Sequence, residues 1–117
     1  MSENLLEQGD WIPASCTMPT AEQPLRLAEF DALFAEDVLS VQQTSPSEVA
    51  LGLRPEAEVA ARAAQLAAAE TGCCSFFTFD LTLTGGRADL VVSTGPEHTD
   101  VLAALAARAS ALIGTAA

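Results

Sequence analysis

The first apolar spacing that repeats with a helical period lies in PLRLAEFDALFA. Leu27, Phe30, Leu33 and Phe34 fall on one face, and Pro24 suits a first turn, so the spacing predicts a helix over Pro24 to Ala35. The period then drops to two. VLSVQQ and SEVALGL flank TSPS, and Val49, Leu51 and Leu53 alternate as a half-buried strand should, which predicts a hairpin. PEAEVAARAAQLAAAETG returns to the helical period. Pro55 and Glu56 suit its first turn, where a missing N–H is harmless and negative charge meets the dipole. Val59, Ala63, Leu66 and Glu70 share one face, and Gly72 is the expected stop. In FFTFDLTLTGGRADLVVS, Phe77, Phe79, Leu81 and Leu83 alternate with Thr78, Asp80 and Thr82. Gly85-Gly86 supplies a tight turn, so a second hairpin is predicted. PEHTDVLAALAARASAL closes the chain as an amphipathic helix carrying Val101, Leu102, Leu105 and Leu112.

The predicted order is helix, β-hairpin, helix, β-hairpin, helix. Two similar strand-strand-helix units are suggested, without a clear sequence repeat. An α+β fold follows, in which helices cover one face of a four-stranded, mostly antiparallel sheet. Residues 24–117 form one domain. Residues 1–23 read as an irregular segment broken by Pro13 and Pro19, packed on the core through Trp11 and Ile12.

Composition narrows the function. The chain has 117 residues, half of them hydrophobic, which suits one domain with a core. Net charge is −11, and all five cations are arginines. Phosphate binding needs cationic side chains, so nucleic acid is excluded as a partner, and anionic membranes are disfavoured for the same reason. The acidity reads as a solvated surface that favours solubility. The N-terminus MSENLLEQGDWIP has no long apolar run, and no segment reaches the roughly 18 apolar residues of a membrane span. A cytoplasmic protein is expected. Thiols there stay reduced, and three cysteines, two of them adjacent, do not read as a disulfide framework.

Those cysteines are the candidate chemistry. Cys73 and Cys74 are expected just past the stop at Gly72, where helix turns into strand. The negative end of the helix dipole raises a thiol pKa, which argues against an activated nucleophile. It leaves a soft-ion ligand open, since a bound ion deprotonates the thiols itself. Thiolates prefer copper(I), zinc and other soft ions. With Cys16 the set is three sulfurs, which suits trivalent arsenic or mercury(II). The alternative is that free cysteines pack as small hydrophobes.

Other groups have two readings each. Glu70, three and four residues before the pair, could move a proton near the thiols, or be an ordinary solvated glutamate at a helix end, which is the expectation. His98 could be a fourth ligand, but as a lone histidine opening a surface helix it is expected to be exposed. Asp80 falls on the polar face of its strand. Phe76, Phe77 and Phe79 read first as core, with Phe76 placed to shield the sulfurs. Arg26 and Arg54 could balance a thiolate or bind an oxyanion, with surface pairing as the expectation.

CTMPTAEQPLRLAEFDALF followed by ETGCCSFFTFDL resembles small actinobacterial proteins with a Cys-Thr-x-Pro-Thr-Ala-Glu segment and a Glu-x-x-Cys-Cys-x-Phe segment. The resemblance covers the chain after Asp10. Some of those proteins carry an arsenate-reductase label, and a similar Cys-Cys-x-Phe domain is attached to some MerR-type regulators. The resemblance implies roles for Cys16, Glu70, Cys73 and Cys74. It departs from phosphatase-like arsenate reductases, which need a cysteine, five residues and an arginine; here SFFTFD follows the cysteines.

The expected function is therefore thiol-based binding of a soft metal or metalloid (As(III), Hg(II) or Cu(I)) through Cys16, Cys73 and Cys74, as sensor, chaperone or resistance protein. Beyond such an ion, no cofactor is implied. One alternative is a thiol enzyme, an arsenate-reductase-like reductase or an organomercurial-type lyase, using Cys73, Cys74 and Glu70 (or Asp80) as catalytic groups. Another is a structural or partner-binding domain with inert cysteines. A hydrophobic strand edge could also pair two copies into a homodimer.

Overall fold

The computed structural model describes the backbone of residues 23–73 and 76–115, with the side chains of residues 28–71 and 76–115. The predicted order holds. Helix α1 (Gln23–Asp37) leads into strands β1 (Val38–Ser45) and β2 (Glu48–Leu53). Helix α2 (Ala57–Cys73) follows, then β3 (Phe77–Thr84) and β4 (Arg87–Thr94). A short 3-10 turn (Pro96–His98) opens into helix α3 (Thr99–Leu112). The fold is α+β. The sheet has the order β1-β2-β4-β3, and every pairing is antiparallel rather than mostly so.

Alternation explains the layering. Val49, Leu51 and Leu53 of β2 pair with Val92, Leu90 and Ala88 of β4, and all six are buried on one face. Their neighbours Ala50, Gly52, Asp89 and Val91 point to the other face and are only half-buried. Onto the buried face pack Phe30, Leu33 and Phe34 of α1, Val59, Ala63 and Leu66 of α2, and Leu102, Leu105 and Ala109 of α3. The hairpin turn of β3 and β4 is the predicted Gly85-Gly86. Both glycines have positive φ (56° and 76°), as a two-residue turn matched to strand twist requires.

The two strand-strand-helix units suggested by the pattern match position by position. The bounds of β1 (38–45), its turn (46–47) and α2 (57–73) recur after 39 residues as β3 (77–84), Gly85-Gly86, and the 3-10 turn plus α3 (96–112). The buried residues Ala63, Leu66, Ala67 and Glu70 map onto Leu102, Leu105, Ala106 and Ala109, all buried too. The two halves are related by a pseudo-twofold axis through the Leu51–Leu90 pair. They differ at their outer strands. The pairing of β1 with β2 slips twice, between Val38 and Ser40 and between Gln43 and Ser45, whereas β3 pairs with β4 without interruption.

Helix α1 belongs to neither half and packs against both α2 and α3. Asp31 holds Arg108 of α3 by two hydrogen bonds (3.0 and 2.8 Å). Near its C-terminus, Glu36 and Asp37 accept from Arg62 of α2 (3.1 and 2.9 Å). Nearer its N-terminus, Glu29 lines a cavity of about 360 Å³ with Gln65, Leu66 and Ala69 of α2. Arg62 lines that cavity too, so α1 packs beside the stretch of α2 from Arg62 to Ala69, with its C-terminus at Arg62.

Two sequence expectations fail locally. Helix α2 does not stop at Gly72 but continues to Cys73; a glycine in a last turn weakens a helix by only about 1 kcal/mol relative to alanine, which packing against the sheet offsets. Leu83, placed in the core by alternation, is 60% exposed, and Phe79 and Leu81 are only half-buried. Helix α2 opposes them with Ala60, Ala64 and Ala67, side chains too short to cover the strand.

Candidate functional site

The cysteine region sits at one end of the two layers. The end of α2, the start of β3 and the start of α3 are brought together there, because Phe77 at the start of β3 pairs with Thr94 at the end of β4.

Glu70 corrects the expectation of a solvated glutamate. It is 0% exposed, the one charged residue wholly buried among the described residues. The cause is helical geometry. Steps of four, three and four residues carry Val59, Ala63, Leu66 and Glu70 down one face, and that face lies on the sheet. Since α2 runs on to Cys73, Glu70 is not in a frayed end. A buried carboxylate is costly unless polar neighbours compensate it. The position equivalent to Glu70 in the second half is Ala109, also 0% exposed. The fold thus accepts a small apolar side chain at this place, and the carboxylate is not dictated by packing.

His98 also departs from expectation. It is half-buried in the 3-10 turn, with its ring stacked on Phe76 (centroids 4.1 Å apart, planes at 22°). Phe76 in turn tilts against Phe77 at 4.7 Å, and Phe77 meets Phe79 edge-on at 5.8 Å. The aromatic run that follows the cysteines is thus a continuous wall, in which Phe77 is core and Phe76 is half-buried with an imidazole on its face. Asp80 is exposed on the open face of the sheet, as alternation predicts.

Cys73 is the last residue of α2, one helical turn after Glu70, rather than a residue beyond the stop. Its side chain, all of Cys74 and all of Cys16 lie outside the described residues, as do Trp11, Ile12 and the side chain of Arg26. Among the described residues no group of three or more His, Cys, Asp or Glu side chains could hold a metal ion. A metal site here therefore depends on the cysteines. Arg54 lies at the other end of α2, where its Nε donates to the carbonyl of Glu36 (2.9 Å) and ties the hairpin to the end of α1. Its position does not suit an oxyanion held at the cysteine pair.

Sequence reasoning placed Glu70 on the right face and then read it as solvated. It did not find the His98–Phe76 stack, which joins residues 22 positions apart through the β3–β4 hairpin. No helix among the described residues is long and apolar enough to cross a membrane. No family model, curated protein or solved structure matches this chain.

Proposed function

We propose that the protein binds a soft metal or metalloid ion through Cys16, Cys73 and Cys74, as sensor, chaperone or resistance protein, with Glu70 serving the thiols. The observation that carries this is the full burial of Glu70 one turn before Cys73, at a place the other half of the fold fills with Ala109. Costly polar groups that packing does not require mark functional sites. The course of α1 supports the third thiol. Cys16 precedes Gln23 by seven residues, a stretch that spans at most about 25 Å when extended. Glu29 of α1 lines a cavity with Ala69 of α2, one residue before Glu70, which supports a path for that stretch toward the pair. Donor chemistry fits: thiolates select soft ions, and a carboxylate one turn away can take up one of the thiol protons released on binding, the others passing to solvent. The likeness to the Cys-Cys-x-Phe proteins adds to the same reading.

Anaerobic titration of the reduced protein with arsenite, mercury(II), copper(I) and zinc tests it. One ion per chain, with tight binding lost in Cys16→Ser, Cys73→Ser and Cys74→Ser alike, is expected. An unchanged Cys16→Ser would reduce the site to the pair. No binding by the wild type, with thiols inert to alkylation, would leave a structural domain with inert cysteines.

The same buried carboxyl favours a second reading, an organomercurial-type lyase. The carbon–mercury bond would break, its electron pair would take the proton of Glu70, and mercury would stay on two thiolates. Release of hydrocarbon from an organomercurial in the presence of excess small thiol separates this enzyme from a binding protein.

A further inference from the structure

The pseudo-twofold leaves the two flanks of the molecule unequal. On the β1 flank, helix α1 packs on both β1 and α3, and the slips in β1 break the regularity of its edge. On the β3 flank no further element lies outside β3 among the described residues. The two-residue turn closes on the pair Thr84–Arg87, so the N–H and C=O groups of Thr84, Thr82 and Asp80 face β4. Those of Leu83, Leu81 and Phe79 face outward. Natural edge strands are guarded by bulges, prolines or inward charges. β3 has none of these, since its one charged residue, Asp80, is on the open face.

Beside that edge runs an apolar groove. Leu83, 60% exposed, lines its upper end with Ala57 and Ala60 of α2. Phe79 and Leu81 line its lower end, about 260 Å³, with Ala64 and Ala68. The lower end carries no charged residue, on a chain whose net charge is −11. A second copy would be repelled by most of the surface and least by this strip.

We infer that β3 pairs antiparallel with β3 of a second copy, extending the sheet to eight strands, with the two α2 alanine faces meeting above the seam. The strand is self-complementary about Leu81. That register sets Leu81 against Leu81, Phe79 against Leu83 and Asp80 against Thr82 of the second copy. Centring on Asp80 instead would oppose two like charges directly, which destabilises a pair. The flank is about 25 Å long and about 20 Å deep, one strand plus one helix layer, or roughly 500 Å² per copy and 1,000 Å² in all, the least a specific interface needs.

Sedimentation equilibrium of the full reduced chain tests this. The wild type is expected to dimerise below about 100 µM. Leu83→Lys should raise the dissociation constant at least tenfold with an unchanged far-ultraviolet spectrum and melting curve, since Leu83 is mostly exposed. Leu39→Lys, at the other large exposed leucine among the described residues, should leave the dimer intact. Thr82→Lys should tighten the dimer several-fold by facing Asp80 of the second copy, and weakening would overturn the register. A monomeric wild type, as expected if another segment of the chain or a different protein covers the strip, would overturn the inference, as would a dimer that Leu83→Lys leaves intact.

Discussion

Replacing Glu70 by glutamine separates a carboxylate kept for chemistry from one kept for folding. The substitution removes the charge and preserves length and one acceptor oxygen, while the other oxygen becomes an NH2 donor. Glu70 is 0% exposed on a face otherwise made of Val59, Ala63 and Leu66. An ionised carboxylate taken out of water loses several kcal/mol of solvation, and each hydrogen bond it makes returns about 1.5–3 kcal/mol. Polar compensation of that size offsets much of the penalty, so the charge contributes little net stability. Glu70→Gln is therefore expected to change the unfolding free energy by no more than about 1 kcal/mol in urea titration at pH 7. For a domain near this size that is about 4 °C in melting temperature. The equivalent site gives the contrast. Ala109 is 0% exposed among apolar neighbours. Ala109→Gln buries an amide with no prepared partners and overpacks the core, at a cost of about 2–5 kcal/mol. Total stability at this length is about 6–17 kcal/mol, so that loss is plainly measurable. With the fold intact, Glu70→Gln should still slow or weaken ion uptake at the thiols. A loss above about 3 kcal/mol in Glu70→Gln would refute the reasoning, because Glu70 would then be a structural anchor.

Other consequences test the frame around the site. Gly86→Ala forces a Cβ onto a residue with φ of 76° and should cost about 1–2 kcal/mol in thermal unfolding, whereas Gly86→Asn should cost less. Leu102→Ala, at a fully buried position, should lose about 2–5 kcal/mol in urea titration. Arg108→Met breaks the double hydrogen bond to Asp31; with both side chains about a third exposed, about 1 kcal/mol is expected, and the deficit should shrink in high salt. Ala substitution of His98 removes the ring on Phe76 and should lower stability by about 1 kcal/mol while leaving ion stoichiometry unchanged, since His98 is assigned to packing.

Much of the fold was legible because local chemistry and tertiary need agree. The alternation of Val49, Leu51 and Leu53 names the buried face of β2, and Gly85-Gly86 names the turn. Legibility failed where neighbours decide. Leu83 alternates correctly, yet the short alanines of α2 leave it uncovered. Gly72 is a usual helix stop, but here the helix continues through it. The two strand-strand-helix units were legible as a pattern but not as a sequence repeat, because they share bounds and burial but not residues: Pro46-Ser47 answers Gly85-Gly86, and Glu70 answers Ala109. The burial of Glu70 could have been read from its place on the Val59–Ala63–Leu66 face, had its charge not argued for solvent. That the end of α1 docks on α2 follows from the pairing of Arg62 with Glu36 and Asp37, contacts some 25 residues apart that no local pattern announces.

Three thiols are proposed to meet at the end of α2, one contributed from before α1. X-ray absorption at the arsenic edge of the reduced protein loaded with one equivalent of arsenite measures it directly. Three sulfur neighbours and no oxygen are expected, with one sulfur lost in Cys16→Ser. Two sulfurs and an oxygen in the wild type, unchanged by Cys16→Ser, or arsenic still bound to oxygen alone, would contradict it.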